Sequence, residues 1–445
     1  MAMEAWQSLV HVCRRWRSLV FGSRRRLNLQ LFCTPETPAK DTLDVWPALP
    51  LVVAGNMALS SGTDNIIAAL GQTNRVREVF LQGLADWQLE NVLAAMEVPF
   101  PELTELQLCS AASGESPPVI PVPDSFLGGS APRLQYFELS GIPFPGLPSL
   151  LSSASHLVHL RLPNFPHSAY ISPEAMVVLL CTLPSLEIFF LEFKSPQSRP
   201  DGESRSLPPP KRSVLSFLDH FLFKGAIEYL EEFVTHIDTP QLDHFYITFF
   251  NQIDFITPRL AQFINRTPKL KKRNAGVRFE DDFAFVLLSS GSSTLEISVS
   301  CKEPDWQLSS IAQVCHSSLR PLSTVEDLYI RHEYMELVCR NNAIDNTLWL
   351  ELLLPFTAVK NLYLRKEFAP GIAVALKDSV GEITELLPSL QNIFVQGLEP
   401  SGPFQENIGR FVATRQLSGH PIAILKWAKM YISRDLDSDS DMEPM

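Results

Sequence analysis

From Val76 onward the apolar residues obey a short rule: one apolar residue, two others, a second apolar, one other, a third apolar. Five copies carry a proline two places ahead: Pro101 before Leu103/Leu106/Leu108, Pro132 before Leu134/Phe137/Leu139, Pro184 before Leu186/Phe189/Leu191, Pro240 before Leu242/Phe245/Ile247 and Pro388 before Leu390/Ile393/Val395. Copies without it fall at Val76/Val79/Leu81, Leu157/Leu160/Leu162, Leu218/Phe221/Phe223, Val325/Leu328/Ile330 and Val359/Leu362/Leu364. The last two apolar positions are two apart, the alternation of a strand with one buried face, and the proline predicts a strand start where no ladder donor is needed. Helix-like runs at 87–96, 173–183, 226–237, 347–354 and 383–387 precede the strands that begin near Leu103, Leu186, Leu242, Val359 and Leu390.

Up to Leu242 the copies recur in steps of about 23 to 32 residues, within or just above the leucine-rich-repeat range. A strand-then-helix unit of this size cannot bury its apolar face alone, whereas stacked copies build one continuous core. The expected fold is an α/β, irregular leucine-rich-repeat solenoid, a horseshoe with parallel strands on the concave face and helices on the convex face. An ordinary alternating α/β protein would also space buried strands this way; the recurrent Pro-x-Leu entry argues against it. The repeats are irregular, because Ala111, Ile142, Phe165, Lys194, Glu333 and Glu367 stand where regular repeats carry Asn or Cys. Between Leu242 and Val325 the pattern blurs. The solenoid is expected over 23–432, with flexible insertions near 110–123 and 195–213 and a disordered acidic tail at 433–445.

Alternation sends the third and fifth positions of each unit to the concave face. The fifth positions are Phe80, Gln107, Glu138, Arg161, Phe190, Leu222, Tyr246, Tyr329, Tyr363 and Phe394, and third positions include His159, His220, His244, Asp327, Asn361 and Asn392. Aromatic anchors with polar groups beside them suit a protein-binding face. The candidate partner-binding residues are Phe190, Tyr246, Tyr329, Tyr363, Phe394, Arg161, His244 and Asp327. A covering loop or C-terminal segment would instead make the aromatics ordinary packing.

Composition narrows the function classes. A net charge of -12 disfavours a general nucleic-acid or anionic-membrane binder, so neither is expected as a partner. The longest uncharged apolar stretch, 175–183, is far too short to span a bilayer. Seven cysteines without Cys-x-x-Cys suggest neither a disulfide framework nor a metal site, and point to a reduced, cytoplasmic or nuclear setting. No nucleophile elbow, Walker loop, dinucleotide fingerprint or His-Glu-x-x-His helix appears, so no enzyme activity, catalytic residue or cofactor is expected. Ser195-Pro196, and Ser438 and Ser440 with acids three residues on, are candidate phosphorylation sites.

Residues 4–20 place Trp6, Leu9, Val10, Cys13, Trp16, Leu19 and Val20 on one helical face. With Arg24-Arg25-Arg26 behind it, this helix also fits a mitochondrial transit peptide. Its Val12-Cys13-Arg-Arg-Trp16 core resembles the closing half of an F-box. Together with 26–31, the run Asp44-Val-Trp46-Pro-Ala-Leu-Pro50 and the leucine-rich segments, most of the chain resembles the fungal, mushroom-type F-box/leucine-rich-repeat proteins. The F-box is N-terminally incomplete, confined to 1–22, since the family's opens with a Leu-Pro-x-Glu-type segment and further helices. The resemblance implies a substrate-recognition subunit of an SCF-type ubiquitin ligase, with Trp6, Leu9, Val10, Cys13 and Trp16 as the remnant that docks on the ligase linker subunit, and a target protein held by the repeats. The other reading is a free-standing leucine-rich-repeat scaffold that does not dock.

Overall fold

The structure, a computed structural model, describes residues 12–22, 29–32, 39–45, 48–58, 62–111, 120–196, 212–250, 255–270, 273–332, 346–378, 386–397 and 403–427. Trp6, Leu9, Val10, most of both predicted insertions, most of the helix-like run 383–387 and the whole acidic tail lie outside those residues. The chain divides into two compact units, Met1–Leu242 and Asp243–Met445.

In the first unit the strands are β1 (Leu29–Phe32), β2 (Leu51–Asn56), β3 (Val76–Leu84), β4 (Glu105–Ser110), β5 (Tyr136–Ser140), β6 (His159–Phe165), β7 (Ile188–Phe193), β8 (Ser213–Val214), β9 (His220–Gly225) and β10 (Ile237–Asp238). The sheet follows chain order, β1 to β7 and then β9, with every pair parallel, while β8 and β10 form a separate two-stranded ribbon. Helices Thr63–Leu70, Asp86–Ala95, Leu147–Leu151 and Pro173–Cys181 connect successive strands of the sheet. The last begins as its sequence dictates: Ser172 Oγ accepts from the Ala175 N–H at 3.3 Å, and Pro173 fills the first helical position, where no N–H is missed.

The Pro-x-Leu entry has a different cause from the one expected. The prolines do not open strands; they sit in tight turns just ahead of them. Leu103 N–H donates to the Phe100 carbonyl at 3.2 Å, and the same three-residue reach recurs from Leu134, Leu157, Leu186, Leu242, Val325, Val359 and Leu390. Where present, proline therefore occupies the second place of a β-turn, whose φ its ring presets. The next residue joins the stack: Thr104 N–H donates to the Arg77 carbonyl, and Gln135 N–H to that of Thr104, each at 2.8 Å. All three apolar positions of all ten copies are at most 2% exposed. Each unit is an α/β solenoid of leucine-rich-repeat type.

In the second unit the strands are β11 (His244–Phe249), β12 (Asn274–Phe279), β13 (Phe283–Ser290), β14 (Ser293–Ser300), β15 (Asp327–His332), β16 (Asn361–Leu364), β17 (Asn392–Gln396) and β18 (Ala423–Trp427). Their spatial order is β11-β14-β13-β12-β15-β16-β17-β18. Here the blurred stretch resolves. Pro268-Lys269-Leu270 keeps the repeat turn, with Leu270 N–H donating to the Thr267 carbonyl at 3.2 Å. The chain then runs β12, back along β13 and forward along β14, so that β13 is antiparallel to both neighbours while β14 and β12 pair in parallel with β11 and β15. The tight β13–β14 connection needs Gly291, whose φ of +64° suits the first central place of a two-residue hairpin turn. Helices Pro258–Arg266, Pro304–Ser317, Asn346–Leu353, Ala369–Asp378 and Pro403–Leu417 complete this unit.

At the N-terminus the described part of the predicted helix spans Arg14–Gly22, and Cys13 and Trp16 are exposed, Trp16 by 47%.

Candidate functional site

Parallel pairing carries each fifth position beside the next. In the first unit the row reads Ala54, Phe80, Gln107, Glu138, Arg161, Phe190 and Leu222 across β2 to β9. Glu138 lies at its centre, only 7% exposed, and the polar groups around it converge. Tyr136 Oη donates to its Oε2, Gln107 Nε2 donates to its Oε1 at 3.2 Å, the Cys109 thiol lies 3.8 Å from Oε1, and Arg161 Nε lies 3.4 Å from Oε2. Arg161 is thus drawn two ways, since its guanidinium also lies 5.2 Å over the Phe190 ring. Of this cluster the sequence singled out Arg161 and Phe190. Tyr136 and Cys109 were missed, although Tyr136 is a third position on the same strand as Glu138.

Burial, then the nearby Glu138, pushes the Cys109 thiol up to about 12. Tyr136 is also raised, first by burial and then by its hydrogen bond to Glu138, and burial lowers His159. In the second unit burial likewise raises Cys301 and Cys315. A thiol held protonated in this way is the opposite of an activated nucleophile.

In the second unit the fifth positions run Tyr246, Glu296, Leu287, Gly276, Tyr329, Tyr363, Phe394 and Leu425. Three of the predicted aromatics are brought together. Tyr329 and Tyr363 stack at 4.3 Å with planes 10° apart, and Tyr363 and Phe394 at 4.5 Å and 8°. These distances are close to the ~4.8 Å between strands, so the backbone itself sets the stack. Tyr246 does not join: three strands of the meander stand between β11 and β15, and Tyr246 lies beside His244 instead, their rings 6.4 Å apart.

The third positions form a ladder along one edge of this stack. Asn361 Nδ2 donates to Asp327 Oδ1, and Asn392 Nδ2 to Asn361 Oδ1, each at 2.8 Å. On the other edge stand Arg278 and Arg331, register partners on β12 and β15. Trp427, which the sequence reading missed, packs its ring 5.5 Å from Tyr363 and 6.4 Å from Tyr329, and the Arg331 guanidinium lies 4.9 Å from Tyr329 and 5.6 Å from Trp427. The last described strand thus covers part of the stack, leaving Tyr329, Tyr363, Phe394 and Trp427 half-buried. Trp427 was legible in principle, since Ile424 and Leu425 precede it in an apolar run.

The chemistry on this face is that of contact: ring edges, side-chain amides and guanidiniums. Among the described residues no cluster of His, Cys, Asp and Glu is built to hold a metal ion, and no helix is long and apolar enough to cross a membrane.

No protein-family model matches the chain, and no curated protein matches it. Among solved structures it is similar to the crystal structure of the leucine-rich repeat-containing protein LegL7 from Legionella pneumophila, at 14% identity over 86% of this chain and 97% of that one, with a TM-score of 0.27. The repeat assignment stands on the turn and register geometry above.

Proposed function

We propose that this chain is a protein-recognition module that holds its target on the face bearing Tyr329, Tyr363, Phe394 and Trp427, and that it recruits that target to an SCF-type ubiquitin ligase in the cytoplasm or nucleus. The observation that carries the first half is the half-buried aromatic stack edged by an Asp327–Asn361–Asn392 amide ladder. Preordered aromatic rings lose little entropy on binding and bury a large area, which is why such residues dominate interface energetics. The second half rests on the resemblance of the N-terminal helix to the end of an F-box, and on the exposure of Cys13 and Trp16 there.

The test has two arms. Tyr363→Ala and Phe394→Ala are expected to weaken capture of the target by at least about tenfold, the loss of one well-packed anchor, while the melting temperature stays close to that of the wild type. Trp16→Ala is expected to reduce co-purification of the ligase linker subunit without affecting the target. A target retained by the wild type with no linker subunit in either sample makes the chain a free-standing scaffold.

A further inference from the structure

At the end of the meander away from Gly291, the second unit has a cleft of about 510 Å³. It is lined by Asp282 and Phe283 at the start of β13, and by Cys301, Lys302, Glu303 and Trp306 where β14 gives way to the helix Pro304–Ser317. That volume lies in the range of clefts that hold ligands. Its walls are tied together by hydrogen bonds. Cys301 N–H donates to the Asp282 carbonyl at 2.9 Å, and the buried Gln307 donates from Nε2 to the carbonyls of Glu280 at 2.8 Å and Cys301 at 2.7 Å. The start of the helix is thereby held against both strands, and the cleft belongs to the fold.

The groups lining it are largely uncommitted. Phe283 is 38% and Trp306 51% exposed, and among the described residues neither ring lies against another ring or a cation. Glu303 stands ahead of the helix, but its side chain makes no capping bond. Asp282 pairs with Lys302 at 3.7 Å with both side chains more than half exposed, an arrangement worth little in water. The balance of charge is negative: Asp282, Glu303 and Asp305 of the first helical turn outweigh Lys302 and the roughly half unit of positive charge at a helix N-terminus. By strand alternation Phe283 and Ser300 share the sheet face of Leu287 and Glu296, which is the face of the aromatic row. Four residues along β13 and two strands across place the cleft about 16 Å from Tyr329, within the footprint of one interface.

We propose that this cleft takes an arginine side chain of the bound protein, its guanidinium laid against the Phe283 and Trp306 rings and donating to Asp282 and Glu303. The cleft deepens the proposed recognition face and rests on it. Ring faces attract cations, tryptophan most strongly. A flat guanidinium stacks on a ring while its N–H groups donate in plane to carboxylates, which an ammonium group does not match. Lys302 is a competitor that the arginine displaces from Asp282.

The probe is N-acetylarginine amide, added to the full chain labelled with fluorotryptophan and followed by fluorine NMR, with Trp306→Phe assigning the resonance. The arginine amide is expected to shift the Trp306 signal saturably, and to bind about tenfold more tightly than its neutral isostere, N-acetylcitrulline amide, the scale of one charge-assisted contact. Asp282→Asn combined with Glu303→Gln is expected to weaken both the arginine amide and target capture by about tenfold, with a thermal melt reporting that the fold is kept. Lys302→Ala, which removes the competitor, is expected to tighten the arginine amide about twofold to threefold. An unmoved Trp306 signal, citrulline amide binding as well as arginine amide, weaker binding in Lys302→Ala, or a double variant that captures the target as the wild type does overturns the proposal. If Tyr363→Ala and Phe394→Ala still weaken target capture in any of those cases, the cleft alone has failed and the recognition face stands.

Discussion

Glu138 and Tyr329 show how the same strand position serves different ends. Glu138 is buried among Tyr136, Gln107 and Arg161, a polar cluster in which Tyr136 and Gln107 donate to the carboxylate and Arg161 stands at ion-pair distance from it. Tyr329 instead stacks, and burial, followed by the proximity of Tyr363, pushes its phenol from 10.0 up to about 12. The unfolded chain therefore releases this proton first as pH rises. The stabilisation is whole below pH 10.0 and is lost as pH climbs through about 12. Urea unfolding between pH 9 and 11.5 is expected to show stability falling across this window, and Tyr329→Phe is expected to flatten the fall; an unchanged slope would show that the phenol is not shielded by the stack. Individual residues of this kind were half legible. The sequence placed Arg161, Asp327, Tyr329, Tyr363 and Phe394 on one face from alternation alone, but convergence on Glu138 depends on side-chain reach, which spacing does not encode.

At the scale of the element, the repeat was read correctly as strands while its proline was given the wrong task. The turn hydrogen bond, not strand entry, accounts for Pro-x-Leu, and it separates two contributions. Leu103 is 1% exposed, so Leu103→Ala is expected to cost about 2 to 5 kcal/mol through lost burial and the cavity left behind. Pro101→Ala is expected to cost only about 0.4 to 1 kcal/mol, the entropy that a preset φ removes from the unfolded chain. Denaturant unfolding of the two variants checks the order; a proline variant as damaging as the leucine one would contradict the turn assignment. The meander β12–β13–β14 was not legible from the repeat rule because antiparallel strands need no helix between them and so break the spacing. Its signals were local ones, the turn at Pro268-Lys269-Leu270 and the hairpin glycine Gly291. That insertion is also why Tyr246 and Tyr329, successive copies in the repeat pattern, lie four strands apart rather than side by side.

For the molecule as a whole, stacking short units converts a one-dimensional pattern into a ruled surface: whatever occupies one position in each copy becomes a row. In the first unit that row is polar at its centre, and in the second it is aromatic between β15 and β17. A row was predictable from sequence wherever parallel copies follow one another; its interruption at Gly276 and its partial cover by Trp427 depend on strands that do not carry the repeat motif. The central claim is that the aromatic row is where a protein partner sits. It is tested most directly by replacing single residues with a photo-crosslinking phenylalanine analogue in the cell, at Tyr363 and Phe394 on the row and at Leu417, which ends the helix Pro403–Leu417 and is 90% exposed. Crosslinks from positions 363 and 394 to one common protein, with none from 417, are the predicted result; equal yields from all three positions, or crosslinks from 417 alone, would contradict it.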